Sequence, residues 1–278
     1  MKISNIKIEH EIITADFKSE ENFMFINKCH EIYRNGDRIK LKNNYIITEP
    51  RIAILSDNLF LLVDLEFENK GSQNAWVFDN EGNFKKSFFV DAPLNIISTG
   101  KRIIMSYSDS QLGIGSRYGN AQIVIFDFDG NCLFEYNSLE KSNDYIKFLE
   151  NKSLVVKNET TIYFMPFIGD GSKDFPIIEL DILNYSINFL FYVLDEIKSD
   201  KYYFTAFSKK NKDWYFFENF DKPLEMNKTS WSRIFRLNSN KILELFFSSP
   251  EISAIPKGFP GGKFSALTEK SNFNYFEI

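Results

Sequence analysis

The sequence predicts an all-β chain, an array of four-stranded antiparallel units, on a repeated cadence and on the strands that match upstream of each copy. The cadence runs Trp76-Val77-Phe78-Asp79-Asn80-Glu81-Gly82-Asn83 and again Val124-Ile125-Phe126-Asp127-Phe128-Asp129-Gly130-Asn131, 48 residues apart from Phe78 to Phe126. Upstream, Arg51 to Leu55 corresponds to Leu94 to Ser98, and Leu59 to Val63 corresponds to Arg102 to Ser106. Three successive short strands therefore align before each hairpin. In each hairpin an Asp side chain caps the turn and a Gly supplies the positive φ that it needs.

Weaker copies follow at related spacings. Asn35-Gly36, between Glu31-Ile32-Tyr33 and Arg38-Ile39-Lys40-Leu41, is a strong hairpin signal 45 residues before the first cadence. Further apolar-then-polar stretches stand at Phe167 to Gly171, Phe217 to Asp221 and Leu267 to Asn272, each read here as the same turn. Six such turns divide the 278 residues into units of about 46, a period typical of propeller blades. The segment Ile187 to Lys198 carries apolar residues at both helical and strand spacing, and its β-branched and aromatic content favours strand.

This pattern resembles the β-propellers, most clearly over the two central repeats. It lacks the Gly-His and Trp-Asp pairs of the WD-repeat family. The resemblance implies one closed ring over residues 1–278, with six blades as the first expectation and seven shorter ones as the alternative, closed by the first strands meeting Phe273 to Ile278. No Pro/Gly/Ser-rich linker divides the chain.

Thirty Phe and thirteen Tyr suit the spaces between stacked sheets, so nearly every aromatic is expected to pack rather than to bind. The Asn, Lys, Ile and Phe usage resembles that of an AT-rich bacterial genome. The N-terminus alternates charged and apolar residues without the continuous apolar core of a signal peptide, and no apolar run approaches a membrane span. Cys29 and Cys132 stand in no metal or redox spacing and are expected to be buried thiols in a reducing cytoplasm. With a formal charge of −5 and no basic block interleaved with aromatics, the chain lacks the electrostatic footprint of a nucleic-acid binder. The same charge favours a basic partner.

Chemical motifs are sparse. Asp127-x-Asp129-x-Asn131 has the opening of a calcium loop, but Cys132 and Ser138 stand where Gly and a bidentate Glu are required. The two histidines, His10 and His30, have no metal-ligand spacing, and no Gly-x-Ser-x-Gly elbow is present. No metal or cofactor is expected.

Two sets of binding candidates remain. Glu49, Asp91, Asp144 and Asp181 each stand where an outer strand is expected to hand over to the next inner strand, so propeller geometry would ring the channel mouth with carboxylates. The long connections from Asp64 to Asn74 and from Ser108 to Asn120 open on that face, and the second offers Asp109, Arg117 and Tyr118, the last two being residue types favoured as interface anchors. The first functional expectation is therefore a non-enzymatic protein-binding propeller, including an immunity protein or inhibitor that masks a toxin. The alternative is a calcium-dependent hydrolase of the lactonase or glycosidase kind, built on the acidic ring.

Overall fold

The computed structural model describes residues 2–8, 11–66, 72–108, 116–142, 145–168, 175–193, 204–220, 231–240, 242–249, 254–259, 263–268 and 272–278. The described strands form six four-stranded antiparallel sheets. Five of these are blades of four consecutive strands. The first holds β2 (Ile12–Ser19), β3 (Asn22–Asn27), β4 (Ile32–Arg34) and β5 (Asp37–Ile39), and the second β6 (Pro50–Ile54), β7 (Leu59–Asp64), β8 (Ala75–Asp79) and β9 (Phe84–Phe88). The third holds β10 (Asn95–Ser98), β11 (Ile103–Ser106), β12 (Ile123–Phe126) and β13 (Cys132–Glu135). The fourth holds β14 (Glu150–Asn158), β15 (Thr161–Phe167), β16 (Pro176–Asp181) and β17 (Ser186–Tyr192), and the fifth β18 (Phe204–Lys210), β19 (Asp213–Phe220), β20 (Trp231–Leu237) and β21 (Leu243–Ser249).

The remaining sheet is a composite. Strands β22 (Ala254–Phe259), β23 (Lys263–Thr268) and β24 (Asn272–Glu277) accept β1 (Lys2–Lys7) as their outer strand, with Ile3 opposite Phe276 and Ile6 opposite Phe273. The expectation of six blades, with seven as the alternative, is corrected to five blades of consecutive strands and this composite sheet. Five blades fold from contiguous chain, and the two chain ends share the closing sheet, as expected for first strands that meet Phe273 to Ile278.

Apolar clusters straddle each junction between neighbouring sheets. Phe60, Phe78, Met24 and Ile52 join the first and second blades, and Phe126, Tyr118, Val77 and Phe88 join the second and third. At the closure, Phe17 of β2 meets Tyr275 of β24 with ring centroids 5.3 Å apart. Each such side chain contributes about 1.5–3 kcal/mol on burial, and the Phe-rich composition is what this interleaving uses.

The repeated turns also lock neighbours together. Asp79 accepts hydrogen bonds from the backbone N–H groups of Glu81 and Asn83, and Asp127 does the same for Asp129 and Asn131. Gly82 and Gly130 have φ of +77° and +83°. A Cβ on Gly82 would lie 2.2 Å from the Lys40 carbonyl oxygen in the segment after β5, and one on Gly130 the same distance from the Phe88 ring on β9. Each turn thus rests on the preceding blade.

The phase of three expected turns is corrected. Positions at Phe167, Phe217 and Leu267 open the connections between second and third strands, not the outer hairpins, because any apolar strand ending in a polar turn gives the same pattern. Cys29 lies exposed in the turn after β3, and Cys132 is half-buried on β13, so neither is a fully buried thiol. The ambiguous segment is strand over Ser186–Tyr192, and its residues 194–198 lie outside the described residues.

Candidate functional site

On one face the connections between outer and inner strands meet those between second and third strands, and buried polar side chains staple them to each other. Asp64, at the end of β7, accepts hydrogen bonds from the N–H groups of Thr48, Glu49 and Glu66 at 2.9–3.2 Å. Asn74 is fully buried; its Nδ2 donates to the Asp64 and Asp91 carbonyls, and its Oδ1 accepts from the Val90 N–H. Asp91 in turn accepts from the Ser116 hydroxyl at 3.0 Å and the Tyr118 N–H at 2.7 Å. One blade further, Gln122 donates to the Phe148 carbonyl and accepts from the Tyr145 hydroxyl. A buried amide with all its groups matched holds a connection firmly, since leaving one unmatched costs about 1–3 kcal/mol.

These staples absorb much of what the sequence offered as a site. Asp91 is buried, in a left-handed backbone conformation with φ of +54°, and its carboxylate holds the connection ahead of β12. Tyr118 is only 3% exposed, with its ring edge-on to Phe126, so its expected role as a surface anchor is corrected to core packing. Burial pushes its hydroxyl pKa up to about 12. Arg117 is exposed, with its guanidinium 4.9 Å from the Tyr118 ring centroid. Glu49 is exposed and lies 3.7 Å from Arg51.

Asp181 is not at the channel mouth at all. It ends β16 and caps the hairpin into β17, accepting from the N–H groups of Leu183 and Asn184 and from the Asn184 side chain. Those bonds, the Asn184 backbone first, lower its pKa. It is the fourth blade's counterpart of Asp79 and Asp127, and its placement in an acidic ring is corrected for that reason. Asp109 and Asp144 lie outside the described residues. Among the described residues no group of three or more His, Cys, Asp or Glu is arranged to hold a metal ion. The described acids of the expected ring therefore do not converge on one point.

The opposite face carries the tight hairpins, and there a groove of about 580 Å³ opens between the first and second blades. Its lining includes Ser19, Asn22, Arg34, Asp37, Asp57 and Asn80. Arg34, at the end of β4, is 91% buried, its relative exposure being 9%. Its guanidinium donates to Asn80 Oδ1 at 2.5 Å, to Asn22 Oδ1 at 3.1 Å and to the Ser56 carbonyl at 3.2 Å. All three acceptors are neutral. Burial lowers the Arg34 pKa, and the charge of nearby Asp57 opposes that shift. Sequence reading missed this residue because the arginine sits in a hairpin, and only Asn35-Gly36 beside it carried a local signal.

The outer edges of the blades differ sharply. The first and third blades end in strands of three and four residues, and β9 carries Lys85 and Lys86. Short or lysine-bearing edges discourage strand addition. By contrast β17 and β21 each run seven residues; β17 reads Ser-Ile-Asn-Phe-Leu-Phe-Tyr without a charge, and β21 has the single acid Glu244. Phe189 on β17 and Leu245 and Phe246 on β21 are exposed. A register shift against the third strand occurs in β9, β13, β17 and β21 alike, so it does not distinguish these two edges.

The blades and their inner strands define a β-propeller, and solved structures agree on the fold. The chain is similar to a luciferin-regenerating enzyme with a TM-score of 0.55 at 10% identity, covering 100% of this chain and 96% of that one. It is similar to YCF48 bound to a D1 peptide with a TM-score of 0.51 at 9% identity, covering 99% and 97%. An oligogalacturonate lyase in complex with manganese matches with a TM-score of 0.52 at 9% identity, covering 94% and 73%. No protein family matches the chain, and no curated protein sequence matches it. At these identities the likeness extends to the fold alone, and the neighbours include both enzymes and a peptide-bound protein.

Proposed function

We propose that the chain is a non-enzymatic protein-binding propeller, of the immunity or inhibitor kind that covers a partner. The observation that carries this reading is the pair of long apolar outer edges, β17 and β21, beside edges that are short or lysine-bearing elsewhere. An extended, uncharged strand of a partner would continue either sheet, since main-chain hydrogen bonds supply affinity and alternate side chains supply specificity. The net charge of −5 favours a basic partner at long range, while the edge itself selects an apolar segment. Cys29 and Cys132 are free thiols, which suits a cytoplasmic setting.

The test is a double variant, Phe189→Lys and Leu245→Lys. Both positions are exposed, so folding stability should change by no more than about 0.5 kcal/mol. Partners crosslinked to wild-type protein in cells are identified, produced recombinantly and titrated against both proteins by calorimetry. The double variant is expected to bind at least about tenfold more weakly, the equivalent of about 1.4 kcal/mol. Equal affinity would overturn the edge-binding reading, and calcium binding that disappears on neutralising the exposed Glu49 would favour the hydrolase alternative.

A further inference from the structure

The groove between the first and second blades lies across the ring from β17 and β21 and is independent of the edge-binding reading. Its floor and rim carry opposite charges. On the floor, Arg34 is held by three neutral acceptors, and among the described residues these engage three of the five N–H donors of its guanidinium. The charge of nearby Asp57 offsets only part of the cost of burying this cation, so the arrangement favours an incoming anionic group that pairs with it directly. On the rim stand Glu21, Asp37 and Asp57, all exposed, and their carboxylates make no ion pair among the described residues. The remaining cation of the lining, Arg38, is turned to Glu31 at 2.8 Å.

A simple anion fits this field poorly. Phosphate would meet one guanidinium and three carboxylates, and its second charge would raise the repulsion. A simple cation would find the rim but would face Arg34 below. The complementary ligand carries both signs a few ångströms apart. We propose that the groove binds a zwitterion, its carboxylate on Arg34 and its cationic group among Glu21, Asp37 and Asp57. Planar bidentate pairing of carboxylate with guanidinium supplies the orientation. The chemistry is that of a free basic amino acid or of a peptide C-terminus ending in a basic residue, and a volume of about 580 Å³ accommodates either.

Calorimetry on the full chain decides the matter with four probes: free lysine, the tripeptide Gly-Gly-Lys, the same tripeptide with an amidated C-terminus, and inorganic phosphate. At least one of the two zwitterions is expected to bind saturably, and amidation should weaken the tripeptide by about tenfold or more through loss of the charge-assisted pair. Equal binding of lysine and tripeptide assigns the groove to a free amino acid, and binding of the tripeptide alone assigns it to a peptide terminus. Arg34→Lys should weaken the zwitterion because an ammonium lacks the bidentate fork. Since Arg34 also joins two blades, Asp57→Asn provides the second variant. Asp57 contributes its backbone carbonyl to Asn80, so the change spares that bond, and the melting midpoint should stay put while affinity falls by about fivefold. Absence of saturable binding by both zwitterions, equal binding of the amide, tighter binding of phosphate, or wild-type affinity in Asp57→Asn would each overturn the proposal.

Discussion

Asn74 reaches from the end of one long connection to the Asp91 carbonyl, 2.6 Å away, and receives the Val90 N–H on its other amide atom. One side chain thereby fixes the path from the second blade into the third. Replacement by Ala should leave the Val90 N–H and the Asp64 and Asp91 carbonyls unmatched in a buried place. The expected cost is about 3 kcal/mol, read as a shift in the chemical denaturation midpoint. A loss below about 1 kcal/mol would mean that water replaces the amide and that the connection is not held as described.

The turn glycines give a graded prediction. Gly82→Ala meets both a positive φ and the Lys40 carbonyl oxygen, whereas Gly100→Ala, with φ of +87° and nothing within 4 Å of its Cβ, meets only the first. Gly100→Ala should cost about 1 kcal/mol and Gly82→Ala at least twice that. Thermal melts of the two variants side by side check the difference. Equal losses would show that the turn does not rest on the preceding blade.

Acid should loosen the hairpins. At Asp127, burial pushes the pKa up but the Asn131 side chain and the N–H groups of Asn131 and Asp129 outweigh it, so the folded value is lowered; Asp181 is lowered by Asn184 and Leu183. A carboxylate with a depressed folded pKa contributes stability that is present above its unfolded value, about 4, and is lost as pH falls through the folded value. The double variant Asp127→Asn and Asp181→Asn should accordingly lose less stability than wild type between about pH 5 and pH 2. Denaturation midpoints measured across that range test it, and parallel curves would refute the assignment.

In the fifth blade, Glu218 is fully buried on β19 and Arg233 of β20 donates to it at 2.6 Å through Nε. Arg233→Met should cost about 3–5 kcal/mol, because a buried carboxylate loses its cation. Pairing that change with Glu218→Gln should recover part of the loss. A double variant no better than Arg233→Met would show that the pair does not act as a unit.

The two central repeats were legible because each combines a strand alternation with a turn that demands particular residues. Asp79 with Gly82, and Asp127 with Gly130, satisfy a local backbone geometry, and local geometry is written in consecutive residues. The fourth and fifth blades lack that signature at their expected positions. Phe167 and Phe217 were placed one strand out of phase, since every hairpin offers an apolar strand followed by polar residues. That same slip put Asp181 at the channel mouth when it caps a turn on the other face.

Candidate residues fared according to how far their partners lie. Acidic and aromatic types in long connections do suggest binding, yet Asp91 and Tyr118 are engaged within the protein, by Ser116, by each other and by Phe126. Nothing in composition separates a carboxylate that awaits a ligand from one that staples a loop.

The sequence by itself determined the all-β class, the propeller resemblance, the closing role of the C-terminal strand and the geometry of two turns, all of which follow from short-range periodicity and backbone demands. Only the tertiary structure decided that five blades fold from contiguous chain, that Arg34 lies buried against Asn22 and Asn80, and that β17 and β21 are the long outer edges. Arg34 and Asn80 are 46 positions apart, and their meeting depends on how one blade stacks upon the next. Burial, charge compensation and edge exposure are properties of that stacking, and no run of neighbouring residues encodes them.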